Sequence, residues 1–309
     1  MTTSSEPSGL ILVTGASTGM GAATARELAA RGYYVLAGVR RETDGLDIEG
    51  PNIRPVILDI TRSEQIAAIA DLIEADGRPL LAVINNAGIA VTAPVEVLPV
   101  EEWRRQFDVN VFGHIEVTQA LLPALLKSHG RIVMIGSIAG RLAQPTYGPY
   151  SGSKFALEAV SDALRRELAR DGVKVVVVEP SAVRTEMVGR GGVTAREHAS
   201  GMTPDQERRY GGLIQAMLAQ SEGYLRYGLD AAQAAKTIAI AATTPRPKTR
   251  YAVGRGAALL IALARILPDR ALDRLLASAL RPPRTQPDTQ RTPTPGSSGV
   301  HTTKRETMS

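Results

Sequence analysis

The sequence predicts an α/β fold: a doubly wound parallel sheet with helices on both faces, followed by a C-terminal helical extension. Short apolar runs of strand length alternate with helical segments from residue 10 to residue 253, the rhythm of strands joined by crossover helices. The chemically distinctive residues fall directly after those runs. Gly15, Asp59, Asn86 and Ser137 each follow a predicted strand end, so they collect along one rim of the sheet, where such folds bind ligands.

Composition narrows the function classes. Of 309 residues, 44% are hydrophobic and 22% charged, a soluble globular balance. With only 4% aromatic residues, the core must be built from Ala, Val, Leu and Ile. There are no cysteines, which excludes disulfides, thiolate metal sites and thiol nucleophiles. The four histidines show no metal-ligand spacing, so no metal is expected. The net charge of +5 is spread among interleaved acids, as in Arg165-Arg166-Glu167, and no nucleic-acid footprint is expected. No apolar run reaches the length of a membrane span, and a cytoplasmic location is the expectation.

Taken in order, residues 10–13 read as a buried strand, followed by Gly15-Ala16-Ser17-Thr18-Gly19-Met20-Gly21 and a helix over 22–31. Strand, glycine turn and helix is the context in which such a loop holds phosphate. Glycines let backbone approach an anion, and the helix start offers free N–H groups. A second strand spans 33–39. Where NAD-binding folds place a ribose-gripping acid, this chain has Arg40 and Arg41, which suit a 2′-phosphate instead. NADP(H) is therefore expected in preference to NAD(H).

Strand 53–58 ends at Asp59-Ile60-Thr61, and a helix over 63–75 follows. Strand 80–84 runs into Asn85-Asn86-Ala87-Gly88. A long helix over 101–127 carries Asn110, with Pro123 inside it and His114 assigned to packing. Strand 131–136 delivers Ser137. Strand 173–179 leads to Pro180-Ser181-Ala182-Val183-Arg184-Thr185. Between 186 and 228 regularity drops around Gly189, Gly191, Gly192 and Gly201, with one helix over 204–221, a segment placed to close over a substrate. A helix over 229–243, a strand over 250–253 and an apolar helical stretch over 256–280, broken at Pro268, complete the ordered chain.

The stretch from Ser137 to Lys154 is the chemical centre. Pro149 suits a helix start, which puts Tyr150 and Lys154 one turn apart on a shared face. A free phenol titrates near 10. A neighbouring ammonium is expected to pull Tyr150 down towards neutrality and make it a general acid or base. Tyr147 lacks such a partner, because Ser151 stands four residues on, and it is assigned to a substrate pocket wall.

These motifs together resemble the short-chain dehydrogenase/reductase family, over about residues 9–255. The resemblance rests on Thr-Gly-x-x-x-Gly-x-Gly at 14–21, Asn-Asn-Ala-Gly at 85–88, and the set Asn110, Ser137, Tyr150 and Lys154. The segment from Tyr251-Ala-Val-Gly to Leu267-Pro-Asp-Arg is also similar to the 17β-hydroxysteroid and retinol dehydrogenase subgroup. One departure is Pro180-Ser181, where the family has Pro-Gly.

The resemblance implies a Rossmann fold and an NAD(P)-dependent oxidoreductase acting on a lipophilic alcohol or carbonyl by hydride transfer. Tyr150 would exchange the proton, Ser137 would bond the same oxygen, and Lys154 would tune Tyr150 and hold the nicotinamide ribose. Asn110 would anchor a water. Asp59 and Ile60 would flank the adenine, with Asn86, Ala87 and Gly88 nearby, while Pro180, Val183 and Thr185 would meet the nicotinamide end. A homo-oligomer is expected. The competing class is a catalytically silent NADP(H)-binding sensor or scaffold, against which the intact tetrad argues.

The expected division is a flexible N-terminus over 1–8, a catalytic domain over 9–255 with its closing insertion at 186–228, a helical extension over 256–281 and a disordered tail over 282–309. Residues 256–280 are also a candidate for peripheral membrane contact, though packing on the protein itself or a sister subunit is the favoured reading.

Overall fold

The computed structural model describes residues 9–280; the segments expected to be flexible or disordered, 1–8 and 282–309, lie outside the described residues. The chain runs β1 (Leu10–Val13), α1 (Gly19–Ala30), β2 (Tyr34–Val39), α2 (Glu42–Leu46), β3 (Ile53–Ile57), α3 (Ser63–Asp76) and β4 (Leu80–Asn85). It continues through α4 (Val100–Phe107), α5 (Gly113–Ser128), β5 (Arg131–Ile135), α6 (Gly148–Glu167) and β6 (Lys174–Pro180). The remainder is α7 (Glu186–Ser200), α8 (Pro204–Tyr227), α9 (Ala231–Thr243), β7 (Arg250–Val253), α10 (Ala257–Ile266) and α11 (Asp269–Ala279).

The seven strands form one sheet in the order β3-β2-β1-β4-β5-β6-β7, and every neighbouring pair is parallel. This is a Rossmann fold. Strand order reverses between β1 and β4, the switch point at which a crevice opens beyond the carboxyl ends. The strands carry apolar residues on both faces because both are covered. Side chains alternate across the sheet. Ile11 and Val13 join a core with Ala25 and Leu28 of α1 and Ile238 and Ala239 of α9. Leu10 and Leu12 join the opposite core with Ile69 of α3, Leu121 of α5 and Leu157 of α6.

Two elements differ from the sequence expectation. The helix expected over 101–127 is interrupted by a wider π turn at Asp108–Phe112 that contains Asn110. The segment expected to lose regularity between 186 and the helix starting at 204 is itself a helix, α7. Helix α7 holds its three glycines despite their weak helix preference; an added Cβ at Gly191 would make an ordinary contact with the Ala90 carbonyl oxygen at 3.4 Å, and one at Gly189 would meet nothing within 4 Å. Helix α8 starts with a reciprocal cap between Thr203 and Gln206 and a proline in its first turn, the arrangement that satisfies orphan N–H groups. It runs six residues beyond the expected end at 221, to Tyr227.

Candidate active site

The glycine loop is held by its neighbours, not by its own bonds. Thr14 Oγ1 accepts the backbone N–H groups of Asn86 and Ala87 at 2.9 and 3.0 Å. Asn86 Nδ2 donates to the carbonyls of Thr14 and Gly15 at 2.9 and 3.0 Å. The Asn86 carboxamide, expected to bind cofactor, is thus already engaged in fixing the loop. Gly15 and Gly19 have φ of +63° and +56°, values that favour glycine. At Gly21 an added Cβ would stand 2.2 Å from the Gly15 carbonyl oxygen. No side chain caps α1 at Thr18, so its first N–H groups stay free for an anion. This cradle, which a methyl group would fill, fits a dinucleotide pyrophosphate.

At the end of β2, Arg41 is committed to Asp44 through a two-bond fork at 3.0 and 2.7 Å. Arg40 is exposed and forms no ion pair among the described residues. Of the two arginines expected at a 2′-phosphate, Arg40 is the one with its guanidinium free. Asp59 accepts Thr61 N–H and Oγ1 at 3.0 and 2.7 Å. The Ile60 side chain is 3% exposed and packs in the core, so it can offer a cofactor only its backbone. Gly88 lies against Asn110 Oδ1 and Met187.

A cavity open at its mouth lies along the same rim. It brings together Met20, Ser137, Tyr147, Tyr150, Pro180, Val183 and Thr185, all chosen from sequence. Ser137 sits in extended backbone and its Oγ accepts Ala139 N–H at 3.1 Å. Tyr147 and Tyr150 stand edge to face, centroids 6.3 Å apart. The structure adds Gln144, Met187, Val188, Ser221 and Tyr224. The last four come from α7 and α8, whose approach to the rim no local pattern announces; only the spacing of Ser221 and Tyr224, one turn apart, hinted at a shared face.

The electrostatics correct one expectation. Burial pushes the Tyr150 phenol above its ordinary value, with the Ser137 hydroxyl opposing the rise by hydrogen bonding. Lys154 does not meet the phenol oxygen. Its Nζ donates to the Ile135 carbonyl at 2.8 Å and stands 5.8 Å from the Tyr150 ring centroid. Burial lowers Lys154 itself to about 8, against a pull upward from Glu158. The helix spacing makes the two residues neighbours, but the ammonium's hydrogen bond goes to backbone.

The Asn110 side chain is likewise engaged within the protein. Its Oδ1 accepts Ile89 N–H at 2.9 Å, and its Nδ2 donates to the Ile89 carbonyl and to Ser153 Oγ at 3.0 and 3.2 Å. The side chain is spent on holding the segment after β4, so a water could be anchored there only through the main chain. His114, one turn on, is fully buried and lowered to about 3 by burial first and by Lys154 second, a neutral packing residue as expected.

Comparison with known proteins gives the family. The family model for short chain dehydrogenases matches residues 9–193. The chain belongs to the short-chain dehydrogenase/reductase family. This member is 34% identical over 280 residues, 87% of its length and 96% of the relative's, to an NADPH-dependent 3-dehydrocapnine reductase of Ornithobacterium rhinotracheale. It is 32% identical to human retinol dehydrogenase 5, covering 88% of this chain and 89% of that one. A short chain dehydrogenase of Burkholderia cenocepacia solved in complex with NADP superposes with a TM-score of 0.67 at 28% identity, over 89% of this chain and 98% of that one. The dehydrogenase is accordingly an oxidoreductase with retinol-dehydrogenase-like relatives.

Proposed function

We propose that this dehydrogenase uses NADP(H) in preference to NAD(H) to interconvert a lipophilic secondary alcohol, or an aldehyde/alcohol pair, with its carbonyl. One observation carries the reading: Tyr150 and Ser137 line the same largely apolar cavity, next to a phosphate-type glycine loop. A cavity with this lining suits a small apolar molecule oriented by a few polar groups. Leu142, Met187 and Val188 supply the apolar wall, and a relative named as a retinol dehydrogenase supports the lipophilic class.

Bound NADP(H) would supply the hydride equivalent at the substrate carbon. The chain would hold it through the backbone of Gly15, Ser17, Thr18, Gly19, Met20 and Gly21, through Arg40 at the 2′-phosphate, and through Val183 and Thr185 at the far end. Tyr150 keeps its proton because burial disfavours the phenolate, which suits it to donate to a carbonyl oxygen. Ser137 presents a hydroxyl to the same oxygen and stabilises charge as it develops. Lys154, held from below by the Ile135 carbonyl, places a positive charge behind the phenol without bonding it. Helices α7 and α8 act as the cover that keeps water from this exchange.

The test is a panel of lipophilic ketones, aldehydes and alcohols followed by reduced-nicotinamide absorbance with each cofactor. Turnover with NADPH exceeding that with NADH is expected. A protein that binds NADPH tightly and turns over no member of the panel would overturn the proposal in favour of a silent binder.

A further inference from the structure

Behind the reacting end of the cavity lies a closed cluster of charge that the chemistry above does not use. Arg141, four residues past Ser137, forks across two carboxylates: Nε donates to Glu179 Oε1 at 2.6 Å and Nη2 to Glu158 Oε2 at 2.8 Å. The same Glu158 oxygen accepts Arg250 Nε and Nη2 at 3.1 and 3.0 Å. Arg250 also reaches Asp162 at 2.8 Å and stands 3.9 Å from Glu179. The side chains of Glu158 and Glu179 are 6% and 3% exposed. Pairs this deep differ from surface ion pairs, because removing one partner leaves an uncompensated buried charge.

The cluster is fastened to both halves of the site. Arg141 closes the short turn Ile138–Gly140 that begins at Ser137, with Gly140 N–H donating to the Ser137 carbonyl at 2.9 Å. That turn is seated on the Lys154 stretch of α6: a Cβ at Gly140 would lie 3.0 Å from the Lys154 carbonyl oxygen. Glu158 is one helical turn beyond Lys154, and a Cβ at Gly136 would meet its free Oε1 at 3.1 Å. The Arg141 fork therefore ties the serine turn to the helix that carries Tyr150 and Lys154.

We propose that Arg141 and Glu158 are positioning residues that fix Ser137 against Tyr150 and Lys154 for the reaction. This rests on the roles of Ser137 and Tyr150 proposed above. Glu158 faces Arg141 from the serine turn, Glu179 from β6, Arg250 from β7, and Asp162 and Lys154 from its own helix. Burial and Glu179 raise it, against Arg141 and Arg250, to about 7. Its proton is thus exchanged near neutrality, and only the ionised form gives Arg141 its second carboxylate. Turnover gains an acid limb near that pH.

Steady-state kinetics and NADPH binding of Arg141→Ala, Arg141→Lys, Glu158→Gln and Ser137→Ala test this. Arg141→Ala should lower kcat at least tenfold with the NADPH dissociation constant within about twofold, and Arg141→Lys should recover part of the loss. Glu158→Gln should remove the acid limb near pH 7. Loss of turnover in Ser137→Ala alongside wild-type kcat in the Arg141 variants would overturn the positioning role. Wild-type kcat in Ser137→Ala would instead remove the reading on which it rests. If Arg141→Ala fails to fold, Arg141→Lys and Glu158→Gln decide: unchanged kcat and pH profile in both overturn the proposal.

Discussion

The ammonium of Lys154 donates to the carbonyl oxygen of Ile135, the last residue of β5, at 2.8 Å. The bond spends a buried charge on backbone rather than on the Tyr150 oxygen. Because Lys154 is 4% exposed, its charge is retained at a cost, and that cost should be visible in stability.

The folded pKa of Lys154, about 8, lies below its ordinary value of 10.5. The folded chain gives up this proton more readily than the unfolded one, so this group's contribution to stability rises as pH climbs from about 8 to 10.5 and is lost as pH falls back through 8. The difference corresponds to about 3 kcal/mol. Denaturant titrations should show Lys154→Met gaining on the wild type at pH 7 and giving up most of that gain by pH 10. A gap independent of pH would contradict the assignment.

Arg40 and Arg41 should separate. Arg41 already has a carboxylate, and Arg40 has none among the described residues. Losing a hydrogen bond to a charged group costs about 1.5–3 kcal/mol, so Arg40→Ala should raise the KM for NADPH about tenfold to a hundredfold and leave NADH nearly unchanged. Arg41→Ala should have the smaller effect. Equal effects on both cofactors would remove the 2′-phosphate from the account.

Gly21→Ala tests the phosphate cradle. The new Cβ would stand 2.2 Å from the Gly15 carbonyl oxygen and 2.5 Å from Asn86 Nδ2, so the loop must shift and the Asn86 bonds with it. Overpacking of this kind costs about 1–3 kcal/mol. Thermal melts should show that loss together with weakened NADPH binding. Wild-type binding would mean that the loop does not touch the cofactor.

Much of this was legible in the sequence, and what was missed has identifiable causes. Strands such as Leu10–Val13 and Tyr34–Val39 were readable because burial on both faces demands unbroken apolar runs. The rim motifs were readable because glycines, asparagines and hydroxyls stand directly after those runs. The π turn at Asp108–Phe112 was not, since it changes the hydrogen-bond pattern without changing the apolar stripe. Helix α7 was hidden because Gly189, Gly191 and Gly192 read as breakers, although none of the three has a positive φ or a close neighbour that would require glycine. The direction taken by the Lys154 side chain depends on tertiary packing, which a spacing of four residues does not encode. The same holds for the pairing of Arg141 with Glu179, 38 positions away.

The central claim is that the Tyr150 phenol exchanges the substrate proton, and Tyr150→Phe measures it most directly when turnover and NADPH affinity are read on the same preparation. The account predicts turnover lowered by about a hundredfold or more, in line with the usual contribution of a positioned acid, with NADPH binding essentially retained. A phenylalanine variant that turns over substrate at the wild-type rate would contradict it.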